Sequence, residues 1–256
     1  MKINFEAVDI ADMNERLTQH QSSYPSPVDT FFEEHVEQSN HYRITINGVY
    51  AGYTSIHNSS MVTQFCLLDG FKQYSQPVFQ RIKKLEKVQR ALVPTCDEFF
   101  LSHALEEHRQ FEMQAYTFQQ REKDAEIHVP DDFSLRVAIE SDIDLIRQVS
   151  GDFLEPVETH VENGEVYMTY KGDAFAGFGV LIRCKYRPNL ADIGMFTNAE
   201  FRYQGVGTAT IRLLMRECQR NGWAVVAGCW YYNHFSKQTL EKVGLYSQTR
   251  LLKISY

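Results

Sequence analysis

Arg202-Tyr203-Gln204-Gly205-Val206-Gly207-Thr208 sets an arginine and two glycines where the apolar stretch Ala191 to Thr197 gives way to the amphipathic run Ala209 to Gln219. A strand that turns into a helix at such a point presents unpaired backbone N–H groups and the positive end of a helix dipole, which suits a phosphate. Glycine leaves no Cβ between that backbone and the anion. Two carboxylates stand close in sequence: Asp192 at the start of the strand and Glu200 just before Arg202. Farther on, Asn233-His234-Phe235-Ser236 and Leu240-Glu241-Lys242-Val243-Gly244-Leu245 follow a second apolar stretch, Ala224 to Tyr231.

The ordered pair R-x-x-G-x-G and N-x-x-[AS]…E-K-x-G-[FL] resembles the signature of the GCN5-related N-acetyltransferases, the GNAT superfamily. The resemblance covers about Ala191 to Tyr256 and extends back to Phe133. It implies acetyl-CoA as cosubstrate, lying between the Ala191 and Ala224 strands where they splay apart. Backbone groups of Met195, Phe196 and Thr197 would pair with the pantetheine arm as an added strand does. The amides of Tyr203, Gln204, Gly205, Val206, Gly207 and Thr208 would hold the pyrophosphate. Arg202 would add a charge-assisted contact, its alternative being a surface ion pair. Asn233, with Ser236, would either touch the cofactor or cap the following helix.

The implied reaction is attack of an amine on a thioester. An amine of lysine-like pKa, about 10.4, must first lose a proton. Asp192 is the preferred base and Glu200 the second candidate, with capping of its loop as the alternative role. A backbone N–H near Phe196 or Thr197 would face the developing oxyanion. Many family members protonate the leaving thiolate with a tyrosine where this chain has Leu240; Tyr231, Tyr232 or Ser236 would have to substitute, or the thiolate, of pKa about 8.5, leaves unaided. That departure keeps a second reading open, a non-catalytic acyl-CoA-binding regulatory module. Cys229, beside Trp230, reads as a small core residue.

These residues need a frame, and the chain supplies it twice. Tyr50-Ala51-Gly52-Tyr53 resembles Phe175-Ala176-Gly177-Phe178, each preceded by a hairpin signal, Asn47-Gly48 and Lys171-Gly172. Strands follow at Met61 to Leu68 and Ala191 to Thr197. Helices follow at about Ser75 to Gln89 and Val206 to Gly222, then strands at about Glu98 to Ser102 and Ala224 to Tyr231. Final strands end the halves, at Gln114 to Gln120 and Tyr246 to Tyr256. In the second half Ser141 suits the N-cap of a first helix, and Phe153 to His160 a short helix or a loop over the substrate. The expected fold is α/β (α+β): tandem GNAT-like units, each a mixed, largely antiparallel sheet flanked by helices. Residues 1–124 would form a degenerate copy, residues 133–256 the N-acetyltransferase domain, and 120–132, polar and proline-containing, the linker. The first copy has Asp69-Gly70-Phe71-Lys72-Gln73-Tyr74-Ser75 in place of the glycine loop, which sets a negative charge where a phosphate would sit. His103 and His108 fall on a helix there without metal-site spacing.

Composition narrows the classes. The 256 residues carry a formal net charge of −7, which argues against nucleic acid as a partner. Five cysteines without a C-x-x-C pair argue against a disulfide scaffold or a metal site and for a reducing, cytoplasmic setting. Met1 to Asp12 lacks the apolar core of a signal peptide, and the longest apolar run, Phe175 to Ile182, is too short to span a membrane. The expected partner is a small-molecule amine; monomer and homodimer are both open.

Overall fold

The computed structural model describes residues 1–121 and 126–256, so the centre of the expected linker, 122–125, lies outside the described residues. The first half runs β1 (Ile3–Val8), α1 (Asn14–Ser22), α2 (Thr30–Glu37), β2 (Ser39–Ile46), β3 (Val49–His57), β4 (Met61–Leu67), α3 (Ser75–Ile82), β5 (Arg90–Pro94), α4 (Glu98–Ala104) and β6 (Gln110–Gln120). The second repeats that order: β7 (Phe133–Val137), α5 (Ile143–Ser150), α6 (Val157–Glu162), β8 (Val166–Lys171), β9 (Ala174–Arg183), β10 (Leu190–Thr197), α7 (Val206–Arg220), β11 (Ala224–Trp230), α8 (His234–Lys242) and β12 (Leu245–Ser255).

All twelve strands of the described residues join one sheet, in the order β1-β2-β3-β4-β5-β12-β6-β11-β10-β9-β8-β7. Read from either end the order is the same once the halves are interchanged, so a pseudo-twofold axis passes between β12 and β6. Each half lends its last strand to the other: β12 pairs with β5, and β6 pairs with β11. Among the described residues the only parallel contacts are β4 with β5 and β10 with β11. The rest is antiparallel, as expected for a largely antiparallel mixed sheet.

The repeated Ala-Gly-aromatic motif has a steric cause. At Gly52 a Cβ would lie 2.0 Å from the Cys66 carbonyl oxygen, and at Gly177 2.2 Å from that of Phe196. Both glycines sit beside a register shift, in β3 against β2 and in β9 against β8, so each half uses a bulge that admits no side chain.

Four local expectations are corrected. Glu98 to Ser102 is the start of a helix, because the Asp97 side chain accepts the Phe100 N–H at 3.0 Å and caps it. The helix from Ser75 ends at Ile82 instead of Gln89, and the chain then turns with Glu86 at φ 49°. Ser141 caps nothing: the Asp142 carboxylate accepts the Ile139 N–H at 2.8 Å and pairs with Arg136 at 2.7 Å. His108 lies beyond the end of α4.

Candidate active site

The strands β10 and β11 pair only at Leu190–Asp192 against Ala224–Val226 and then part. From Ile193 to Thr197 one edge of β10 stays bonded to β9, so its other edge faces the gap. That free edge, which includes Met195, Phe196 and Thr197, is what an extended pantetheine arm would need. Phe196 itself stacks on Phe178 with 5.3 Å between ring centroids.

The glycine loop lies at the open end. Gly205, at φ 84°, is the residue before α7, and the first intrahelical bond runs from Ala209 N–H to Gly205 O at 2.9 Å. The N–H groups of Val206, Gly207 and Thr208 therefore precede the helical ladder, as an anion site requires. Gln204 N–H is turned back onto Phe201 O at 3.4 Å, so that amide does not join the others. Gly207 faces the splay: a Cβ there would lie 3.4 Å from Thr197 Oγ1 and 3.8 Å from the Met195 side chain. Tyr203, at φ 64°, is almost fully exposed and sets its ring edge against Phe235. Arg202 is exposed and has no ion-pair partner among the described residues.

A cavity of about 360 Å³ opens through the gap. The second half contributes Phe153, Leu154, Val180, Ile182, Asp192 to Gly194, and Gly228 to Trp230; the first contributes Asp29, Thr30, Phe31, Gln114 and Ala115. Asp29 and Thr30 arrive on the N-terminus of α2, and Asp29 caps it by accepting the Phe32 N–H at 3.0 Å. The Asp29 carboxylate rests on the bare Cα of Gly228, where a Cβ would lie 2.2 Å from Oδ2. Gln114 and Ala115 arrive on the exchanged strand β6, beside a bulge against Leu251 and Leu252.

Asp192 is held by the first half. Its Oδ2 accepts Thr30 N–H at 2.8 Å and Thr30 Oγ1–H at 2.7 Å. Burial, and then the charge of Asp29, push its carboxyl up to about 7. Burial raises Asp29 to about 6 and Glu33 to about 7; Glu33 accepts the N–H groups of Lys185 and Tyr186. A carboxyl poised near neutrality in a cleft is the state a general base needs.

Glu200, Tyr231, Tyr232 and Asn233 fall outside the cavity lining. Glu200 is exposed on a 3-10 turn, where its carbonyl accepts Gln204 Nε2–H at 2.9 Å. Tyr231 stacks on Tyr116 of β6, 4.8 Å between centroids, and Tyr232 is exposed. Asn233 caps α8 by accepting the Ser236 N–H at 3.0 Å. Leu240 is buried in the core under α7 and α8. Cys229 lines the gap, and burial pushes its thiol up to about 11, which suits packing better than nucleophilic attack. The sequence reading missed Asp29, Thr30, Phe31 and Gln114, because nothing local to them points at a strand more than a hundred residues away.

The corresponding splay of the first half is filled. Beyond Met61 and Val62, β4 leaves β5, and Phe65 packs there among Phe79, Phe99 and His103. On the opposite face Gln64 bonds His20, Tyr53 and Tyr24, and Asp97 bonds Tyr24. Asp69 is exposed and paired with Lys72 at 2.8 Å.

Among the described residues no group of side chains could hold a metal ion, and no helix is long and apolar enough to cross a membrane. Residues 9–121 match the family profile described as "Acetyltransferase (GNAT) domain". The match falls on the half with the filled splay. No curated protein matches the chain. Among solved structures, an acetyltransferase of the GNAT family from Colwellia psychrerythraea superposes with a TM-score of 0.88 at 17% identity, covering 100% of both chains. A GCN5-related N-acetyltransferase from Sphaerobacter thermophilus gives 0.64 at 11% identity, over 99% of this chain and 95% of that one. A tandem GNAT protein from the clavulanic acid biosynthesis pathway gives 0.62 at 11% identity, over 100% and 98%. Residues 9–121 thus resemble a GNAT acetyltransferase domain, and over its whole length the chain shares its fold with GNAT structures, one of them a tandem protein.

Proposed function

We propose that this protein is an acetyl-CoA-dependent N-acetyltransferase acting on a small-molecule amine, with its chemistry in the second half. The observation that carries this reading is Asp192: a carboxyl poised near 7 where, among the described residues, the parallel strands β10 and β11 part around an open cavity. Acetyl-CoA, when bound, supplies the thioester. The free edge of β10 and the amides of Val206, Gly207 and Thr208 fit its arm and diphosphate, with Arg202 free to meet a phosphate. Asp192, held by the two Thr30 donors, takes the proton from the incoming amine. The cavity has no basic residue in its lining, so it receives a cationic amine without repulsion.

No tyrosine hydroxyl lines the cavity, and in this reading the thiolate leaves unaided. The same observation favours the second reading, an acyl-CoA-binding regulatory module. Calorimetry with acetyl-CoA, and thiol release across an amine panel, separate the two. Transfer requires one site per chain, turnover with at least one amine, and loss of both when Gly207 becomes Trp. Binding without turnover on any amine favours the module, and undiminished binding by Gly207→Trp refutes the loop assignment.

A further inference from the structure

A second cavity, of about 260 Å³, adjoins the first, and Phe31 and Gln114 line both. Its other walls are His35, His57, Asn58, Ser60, Met61, Arg90, Leu92 and Lys253. The two differ in sign. The first has two carboxylates and no basic side chain; the second has an arginine, a lysine and two imidazoles, and no carboxylate. Lys253 shares its charge with Glu112 at 3.3 Å, whereas Arg90 has no ion-pair partner among the described residues.

A chain of contacts joins them along α2. Thr30 holds Asp192, Phe31 lies at the shared wall, His35 bonds the Phe31 carbonyl at 2.8 Å, and the His35 and His57 rings lie 4.7 Å apart. At about 1.5 Å rise per residue, His35 stands about 7–8 Å along the helix from Thr30. Gln114 is positioned by the bulge of β6, a device that re-aims a side chain toward a site.

Resting on the transferase reading above, we infer that the acceptor is zwitterionic: its amine enters the cavity at Asp192 and its anionic group, a carboxylate or phosphate, lies against Arg90 in the second cavity. A guanidinium without an ion-pair partner, sharing its cavity with the Asn58 amide and the Ser60 hydroxyl, is the chemistry that recognises such an anion. The first half then contributes the specificity of a reaction performed in the second.

Two acceptors of equal length test this, 6-aminohexanoate and hexylamine, each with acetyl-CoA, in the intact chain and in Arg90→Gln. Arg90 is exposed at the start of a strand, so the variant retains the fold. The expected result is a kcat/KM for 6-aminohexanoate about tenfold above that for hexylamine, lost in Arg90→Gln, with hexylamine unchanged. 6-Aminohexyl phosphate in place of the carboxylate distinguishes the two anions. Hexylamine used as well as 6-aminohexanoate, or an equal loss for both in the variant, overturns the anion subsite and leaves the transferase reading intact. If neither amine is acetylated, that reading suffers, and calorimetry with 6-aminohexanoate decides the subsite alone. Heat that weakens in Arg90→Gln sustains it; no heat, or equal heat in both proteins, removes it.

Discussion

Replacing Asp29 by Asn tests whether the first half tunes the base of the second. Asparagine matches aspartate in shape and also caps helices, so α2 keeps its bond to the Phe32 N–H. What changes is one buried charge. The rise of Asp192 from 3.8 to about 7 amounts to about 4 kcal/mol in favour of its protonated form, at about 1.4 kcal/mol per pH unit. Burial is the larger cause and Asp29 the second. Removing Asp29 therefore relieves less than half, about 1–2 kcal/mol, and lowers the Asp192 pKa by about one unit. Only the ionised carboxyl accepts a proton. The acid limb of kcat/KM, centred near 7 in the natural protein, should therefore move to about 6. At pH 6 the ionised fraction rises from about one tenth to about one half, a roughly fivefold gain in kcat/KM, while at pH 8 the two proteins converge. Titration of the amine acts on both proteins alike. An acid limb that stays in place, or moves upward, refutes the coupling between Asp29 and Asp192.

Stability gives the same experiment a second readout. Asp29 is raised from 3.8 to about 6, so its contribution to stability is fully present below 3.8 and is lost as pH rises through 6. Asp29→Asn lacks this loss. It should match the natural protein at pH 4 and exceed it by up to about 3 kcal/mol at pH 8, read as a higher urea midpoint. Equal midpoints at pH 8 would show that the Asp29 carboxylate is not destabilised by the pocket.

Two further outcomes follow from the frame. Gly177→Ala drives a Cβ to 2.2 Å from a carbonyl oxygen and should cost about 3 kcal/mol or more, lowering Tm by about 6–12 °C. Gly172→Ala, with open space around it but φ 57°, should cost only about 1–2 kcal/mol; equal losses at the two sites would contradict the bulge. Residues 1–121 expressed alone leave β5 without β12 and β6 without β11 and β12, and should give no cooperative unfolding transition as a monomer. A cooperative monomer would show that the exchange is dispensable.

What could be read from the sequence divides along a physical line. The glycine loop was legible because its geometry is local: Gly205 at φ 84° and the missing Cβ at Gly207 are properties of neighbouring residues. The repeat was legible for the same reason, since Gly52 and Gly177 meet the same steric demand in each half. Asp192 was singled out from its place on the strand, but the rise of its pKa could not be, because that comes from burial and from Asp29 across the pseudo-twofold axis, against the Thr30 hydrogen bonds that lower it. Phe99, Phe100 and Leu101 read as a strand because an apolar run does not distinguish a buried strand from a short helix; the Asp97 cap decides it. Asp29 itself shows only as a helix cap. Its second role depends on strand exchange, which no local pattern encodes.

That exchange also explains how a half whose own splay is filled can serve the other. With Phe65 and the Gln64 network occupying its gap, the first half has a solid interior from which α2 projects. The second half keeps its gap open and so loses packing just where its strands part. β6, inserted between β12 and β11, restores backbone pairing to β11 along Val226–Trp230, on the side away from the gap. The same insertion carries Gln114 and Ala115 to the cavity and brings Asp29 and Thr30 against Gly228 and Asp192. Closing the sheet and building this wall of the cavity are therefore one structural event. A substitution that loosens β6 must therefore act on stability and on the cavity together.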